Sequence, residues 1–402
     1  MSSRWMALAV LFTVRLTMSF QFENVAAVAP LMQRSLGASL ADIGFLIGVY
    51  LLPGILLAIP GGAIGRRFGD RRAVYIGCAM TVVGGIVTVL WGDWSAQIIG
   101  RLIAGAGGVM LSVVMTKMVV DWFSGRETAT AMAIYINSWP AGIALALLIL
   151  PPIGVAYGEE GAFVASTLVV TLGLALFVGV YRDPPNATDA TVRNTRERAP
   201  GFASMNAPTV AALLTASQIW CFYNIAFAMV FSFGPTLLTE RGYSVATAGS
   251  AVSIVLWLSI VSVPLGGVLA DRAGHANFIL VSGSLLMAAL LIAAGSFDNV
   301  ALTFVLMGLL CGIPAGGIMD LPARLLSSEH RAMGMGIFFT VYYAGIVIGT
   351  SVAGSIARWA GTARATFEFG AVLIALCPLL LVAFRRLEMA ARNAQMVPTQ
   401  AE

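Results

Sequence analysis

The sequence predicts an all-α membrane protein in which twelve transmembrane helices form two pseudo-symmetric six-helix halves. Hydrophobic residues make up 59% of the 402 residues and charged residues only 10%, whereas a soluble protein carries roughly 25% charged residues. So few charges cannot cover a water-facing surface, and the apolar side chains must therefore face lipid. Apolar runs indicate the number of helices, and an internal repeat indicates the two halves.

The apolar runs have the length of membrane-spanning helices, because a bilayer core about 30 Å thick needs about 20 apolar residues per helix. The first run is too long for the apolar core of a signal peptide, so we expect it to remain as a helix. Bounded by charged residues or by proline and glycine, the predicted spans are 5–31, 42–64, 73–92, 95–118, 130–151, 161–181, 208–233, 246–270, 277–296, 300–325, 333–356 and 364–385.

Arginine positions predict the orientation, because cytoplasmic segments collect basic residues. With the N-terminus in the cytoplasm, fifteen arginines fall on the cytoplasmic side. The four on the opposite side are Arg34, Arg241, Arg358 and Arg364. We therefore expect an integral plasma membrane protein of the bacterial inner-membrane type, with both termini in the cytoplasm.

The two halves repeat at a constant offset of 205 residues. Matching pairs include Phe22 and Phe227, Pro30 and Pro235, Gly44 and Gly249, Arg67 and Arg272, and Arg126 and Arg331. Many secondary transporters use such tandem halves to place a site at mid-bilayer. The predicted divisions are a first half at 1–181, a polar cytoplasmic linker at 182–207, a second half at 208–386 and a cytoplasmic tail at 387–402.

Two glycine- and arginine-rich loops occupy equivalent places in the halves. The first carries Gly62, Arg66, Arg67, Gly69 and Asp70, and the second carries Gly267, Asp271, Arg272 and Gly274. They resemble the cytoplasmic motif of the major facilitator superfamily, a resemblance that covers essentially the whole chain and implies the major facilitator fold. It also implies a gating latch, which we assign to Arg66, Arg67, Asp271, Arg272, Arg126 and Arg331. Because Arg66 stands where the family has an acid, a plain basic anchor is the alternative for the first loop.

Further motifs bear on the type of transport. Arg101-x3-Gly105-x-Gly107 is similar to a family signature associated with proton movement, whereas Trp139 interrupts the Gly-Pro of the family's antiport motif. Three short stretches loosely resemble the cyanate/nitrate-type permease branch. They are 20–24, 137–140 and 321–324.

Ionisable side chains inside spans are costly and indicate function. Two basic residues have an acid four positions away and predict local ion pairs, Lys117 with Asp121 and Arg324 with Asp320. Glu23 and Arg101 fall at similar depth. This glutamate is either a fixed counter-ion of Arg101 or a proton carrier whose pKa depends on Arg101.

Arg15 lies about 15 Å into span one and has no acid within one helical turn. Its fixed charge and planar fork suit carboxylates and other oxyanions, so we assign it to substrate binding. A salt bridge to an acid on another helix is the alternative. Predicted lining residues, any of which could instead serve packing, are Ser19, Phe22, Trp139, Trp220, Tyr223, Asn224 and Tyr342; Trp220 occupies the repeat position of Arg15.

These features predict a secondary active transporter that moves a small organic or inorganic anion by alternating access, with proton symport. The alternatives are a proton-coupled efflux antiporter for hydrophobic or cationic compounds and a non-transporting receptor or scaffold. Lys117 is the single lysine and follows threonine, so no phosphate-binding loop for ATP is present. We expect no enzyme activity, no cofactor, no metal site and no nucleic-acid partner; the expected partners are a small anion, protons and lipid, and one chain is the expected unit.

Overall fold

The computed structural model describes residues 3–57, 69–123, 127–182, 205–273, 276–297, 299–326 and 330–396. Within them the first half contains α1 (Ser3–Phe22), α2 (Asn24–Ser35), α3 (Leu40–Val49), α4 (Pro53–Leu57), α5 (Asp70–Trp91), α6 (Trp94–Phe123), α7 (Thr128–Ile136) and α8 (Ser138–Val180). The second half contains α9 (Ala207–Glu240), α10 (Val245–Ala273), α11 (Ala276–Ser296), α12 (Val300–Leu310), α13 (Ile313–Leu325), α14 (Arg331–Ala360), α15 (Arg364–Ala375) and α16 (Cys377–Met396).

Eleven helical segments of the described chain are long and apolar enough to cross a membrane. One of them, Thr130–Val180, has 51 residues, which corresponds to about 76 Å of helix and exceeds a single crossing. The backbone leaves helical geometry inside it at Gly158, with φ 75° and ψ 173°, a conformation that glycine adopts without steric cost. Spans five and six meet at this glycine, and the prediction of an all-helical fold with two halves is confirmed.

Span one is a single membrane-crossing segment, Arg4–Ser35, as predicted, with one irregular residue inside it. It consists of α1 and α2, with Glu23 at the break between them. The Phe22 carbonyl, at the end of α1, accepts a hydrogen bond of 3.0 Å from the Arg101 guanidinium. A buried carbonyl needs a partner, so a side chain from α6 stabilises the break.

The two ends of the bundle differ in how the halves meet. We call the end that carries the connections at 36–39, 92–93, 241–244 and 361–363 the far end, and the opposite end the linker end. Among the described residues, the main contacts between halves join α2 to α9, α3 and α4 to α14, and α8 to α10. These contacts lie from mid-bundle to the far end, so the far end is closed in this structure.

Glycines permit this closure because they let helices approach closely. A methyl group added to Gly44 of α3 would overlap the Thr350 carbonyl oxygen of α14. A methyl group on Gly249 of α10 would overlap the Leu147 carbonyl oxygen of α8. Gly44 and Gly249 occupy equivalent positions of the repeat. The two helix contacts that they permit, α3 with α14 and α10 with α8, are therefore symmetric, and we call them the glycine seams.

Candidate functional site

Arg15 lies on α1 and is half-buried. Its guanidinium carbon is 4.6 Å from the centre of the Tyr135 ring, in cation–π geometry. Its Nε is buried and has no hydrogen-bond partner. The Arg15 charge also acts on the phenol groups of Tyr342 and Tyr343, which lie on α14 of the second half. Arg15 therefore interacts with aromatic residues of both halves and keeps its Nε without a hydrogen-bond partner.

The four basic residues predicted inside spans have different partners. Lys117 binds Asp70 at 2.5 Å and Asp121 at 2.8 Å; we predicted only the second of these pairs. Arg324 forms its predicted ion pair with Asp320. No acid lies within ion-pair distance of Arg15 in the described part of the chain.

Arg101, the fourth basic residue, is held by oxygen acceptors and not by an acid. It donates to the Leu46 carbonyl at 2.6 Å, to Asn24 Oδ1 at 2.9 Å and to the Phe22 carbonyl at 3.0 Å. The side chain is 4% exposed. Arg101 thus ties α6 to α1, α2 and α3.

Glu23 lies beside this network without joining it. It is 1% exposed, and its Oε1 has no hydrogen-bond partner. Helices α1 and α6 adjoin. The two side chains form no direct ion pair among the described residues, but their charges act on each other. The counter-ion and the proton-carrier interpretations of Glu23 therefore both stay predictions.

Other buried polar groups surround the network. Asn24 Nδ2 donates to Ser166 Oγ at 3.0 Å, and Gln21 Nε2 donates to the Thr81 carbonyl at 2.9 Å. Gln21 Oε1 and the Tyr50 hydroxyl have no partner in the structure and line a cavity of about 10 Å³. Such a cavity has room for roughly one water.

Three further predicted residues of the first half pack toward the far end. Ser19 is fully buried and donates to the Leu16 carbonyl at 3.0 Å and to the Ser138 carbonyl at 3.3 Å. Phe22 packs 5.3 Å from Trp139 and also contacts Phe231 of the second half at 6.4 Å. Ser19 thus joins α1 to α8, whereas Phe22, packed against Trp139, contacts Phe231 of the second half.

The second half places its predicted residues on α9 and α14. The Trp220 ring is 5.6 Å from Tyr223 and 6.4 Å from Tyr342. Tyr223 donates its hydroxyl to the Cys311 carbonyl at 3.1 Å, and Asn224 donates Nδ2 to the Trp220 carbonyl at 2.8 Å. Trp220 and Tyr342 are half-buried, while Trp220 Nε1 is buried without a partner.

The side chains of the predicted gate lie largely outside the described residues. Arg66, Arg67 and Arg126 lie outside the described residues. The backbone of Asp271 and Arg331 is helical, but their side chains lie outside the described part. Arg272 is exposed near the end of α10.

Two aromatic residues, Tyr135 and Tyr343, were missed as site residues. Tyr135 stacks on Arg15, and the Tyr343 ring packs 2.5 Å from the position of a β-carbon on Gly54. Tyr135 precedes Trp139 by four residues, a spacing typical of one helix face. Tyr343 follows Tyr342 directly. Both signals were available in the sequence.

Comparisons with known proteins address the identity of the fold. A model described as Major Facilitator Superfamily matches residues 11–244 and 219–396. The chain is 24% identical over 386 residues to the hexuronate transporter of Bacillus subtilis (strain 168), covering 90% of each chain. It is 22% identical over 362 residues to a lysosomal dipeptide transporter of Homo sapiens, covering 84% of this chain and 76% of that one.

Solved structures show the same fold. A D-xylose-proton symporter superposes with a TM-score of 0.75 at 14% identity, covering 94% of this chain and 97% of that one. A peptide transporter in complex with sulfate superposes with a TM-score of 0.73 at 17% identity, covering 95% of each chain. The chain is thus a secondary transporter and not an enzyme, as predicted, and it belongs to the Major Facilitator Superfamily.

Proposed function

We propose that the protein transports a small anion by alternating access and that Arg15 binds the anion. The observation that carries this proposal is that Arg15, on span one, has a buried Nε without a hydrogen-bond partner and no acid within ion-pair distance among the described residues. An unpaired charge in a water-poor site is costly, and an incoming anion removes that cost. The name of the hexuronate transporter relative supports an anionic cargo, because a hexuronate carries a carboxylate.

A thermal-shift screen of purified protein against carboxylates and inorganic anions tests the cargo class. A ligand that binds only the folded state raises stability by an amount that grows with its concentration over Kd. We expect anions, and not organic cations, to raise the melting temperature. Stabilisation by cations alone would instead favour the efflux antiporter.

We propose proton symport as the energy source, with Glu23 as the proton carrier and Arg101 as its neighbour. A carboxyl group that holds no ion pair can change protonation state without breaking one. The proton-coupled sugar transporter of the same fold shows that this architecture accommodates proton symport. The resemblance to cyanate/nitrate-type permeases stays part of this proposal, and so does the single-chain unit.

Replacing Glu23 with glutamine tests the coupling. Glu23→Gln should abolish proton-driven accumulation in proteoliposomes and spare counterflow, because counterflow needs no net proton movement. The matched control is Glu160→Gln, since Glu160 is an exposed acid beside Gly158. Loss of counterflow together with a lower melting temperature would give Glu23 a structural role.

The proposed orientation places the linker end in the cytoplasm. A cysteine introduced within 186–198 should then be labelled only from the cytoplasmic side, and a cysteine at Ser39 only from outside. The four native cysteines are buried and should remain unlabelled. In this orientation the structure is closed to the outside, and the reverse labelling pattern would invert that assignment.

A further inference from the structure

The surroundings of Arg15 are aromatic, which bears on the class of anion. One face of the guanidinium lies over Tyr135, and this stacking leaves the edge hydrogens free for an oxyanion. Tyr342 lies 5.1 Å from Tyr343 and 6.4 Å from Trp220 between ring centres. Trp220, Tyr342 and Tyr343, which we call the aromatic wall, therefore form one cluster on the second half, and the Arg15 charge acts on its two tyrosines.

The proposed anion site carries one uncompensated positive charge, that of Arg15. Lys117 and Arg324 are neutralised by acids, and Arg101 is engaged by three oxygen acceptors. Arg15 alone among these four has no acid and no carbonyl or amide acceptor in the described chain; its contact there is with Tyr135. One positive charge balances one negative charge, and a dianion would leave a second charge without compensation in a medium of low dielectric.

The polar groups available to a ligand are few. Tyr223 and Asn224 donate to backbone carbonyls of their own half. Only the ring of Tyr223 and the side-chain oxygen of Asn224 are therefore left to contact a ligand. Trp220 Nε1 has no partner, and the hydroxyls of Tyr342 and Tyr343 form no hydrogen bond within the described residues. A sugar acid would bring several hydroxyl groups that each need a partner, whereas flat aromatic faces match a flat apolar ring.

We propose that the transported anion is a monocarboxylate with an aromatic ring. Its carboxylate binds the free edge of Arg15 and the nearby tyrosine hydroxyls, and its ring packs on the aromatic wall. This inference rests on the proposed function and narrows it. It excludes dianions such as sulfate and succinate and disfavours polyhydroxylated acids.

Calorimetric titration of the purified full-length protein tests this inference with benzoate, glucuronate, sulfate and neutral benzamide as probes. We expect benzoate to bind at least about tenfold more tightly than glucuronate, and we expect no heat from sulfate or benzamide. Because an aromatic contact to the ring is lost, Trp220→Leu should weaken benzoate binding about tenfold, which corresponds to about 1.4 kcal/mol, whereas Trp220→Phe should retain most of the affinity. The matched control is Trp359→Leu, because Trp359 is 89% exposed and lies away from the site.

The results of these titrations distinguish the anion site at Arg15 from the narrower inference of an aromatic monocarboxylate. Arg15-dependent binding of glucuronate or sulfate that is tighter than benzoate binding overturns the aromatic inference and retains the anion site. Unchanged benzoate affinity in Trp220→Leu also overturns the inference. If Trp220→Leu does not fold, Tyr342→Leu takes its place with the same expectation. Binding that is the same in Arg15→Gln and wild type overturns the proposed function itself.

Discussion

Replacing Arg15 with glutamine is expected to weaken anion binding by about two orders of magnitude or more. Removing one partner of a buried charge pair costs about 3–5 kcal/mol, and each 1.4 kcal/mol corresponds to about a factor of ten in Kd. Arg15→Lys keeps the charge but loses the planar fork, so it should weaken binding by about tenfold. Titration of the anion identified by thermal shift measures both changes.

Stability should respond differently from binding, and Arg101 supplies the matched control. Arg15→Gln strands no acid in the described structure and gives up a cation–π contact with Tyr135 worth roughly 1 kcal/mol, so the melting temperature should change little. Arg101→Gln leaves the Phe22 and Leu46 carbonyls without their donor and should lower the melting temperature strongly. If Arg15→Gln unfolds the protein and a carboxylate substitution on another helix restores it, Arg15 belongs to a structural pair.

Replacing Gly44 with leucine is expected to hold the far end open. The added side chain would overlap the Thr350 carbonyl oxygen, and packed helices cannot absorb such an overlap without separating. Because alternating access requires the far end to close, transport should fall at least tenfold. Gly249→Leu should act in the same way through Leu147.

Distances between spin labels at Leu36→Cys and Tyr243→Cys measure the opening of the far end. Both positions are exposed near that end and belong to different halves. Gly44→Leu should shift this distribution to longer distances. The matched control Gly179→Leu should leave it unchanged, because a β-carbon at Gly179 has no atom within 4 Å. An unaltered distribution in Gly44→Leu would show that the glycine seams do not control closure.

The sequence predicts the helices and their division into halves because apolar runs and a constant offset leave a direct signal. The same offset pairs Gly44 with Gly249, yet their role was not apparent, because it depends on which helix crosses each glycine. The seam partners are backbone carbonyls of Thr350 and Leu147. Every residue has a backbone carbonyl, so the residue type at positions 350 and 147 does not reveal these contacts.

The candidate site shows the same limit. The similar depth of Glu23 and Arg101 suggested that they interact, but gave no sign that Arg101 would bind Asn24 and two backbone carbonyls. Arg15 stood out because no acid is near it in the sequence. That no acid reaches it from another helix in the described structure depends on packing alone.

Uptake into proteoliposomes with imposed pH and voltage gradients tests the central claim most directly. Vesicles with wild-type protein and vesicles with Arg15→Gln receive the same mixture of carboxylates, inorganic anions and organic cations, and mass spectrometry quantifies what they accumulate. We predict that an inward proton gradient drives accumulation of an anion by wild type and not by Arg15→Gln. Accumulation of cations, or of an anion equally in both preparations, would contradict an anion site at Arg15.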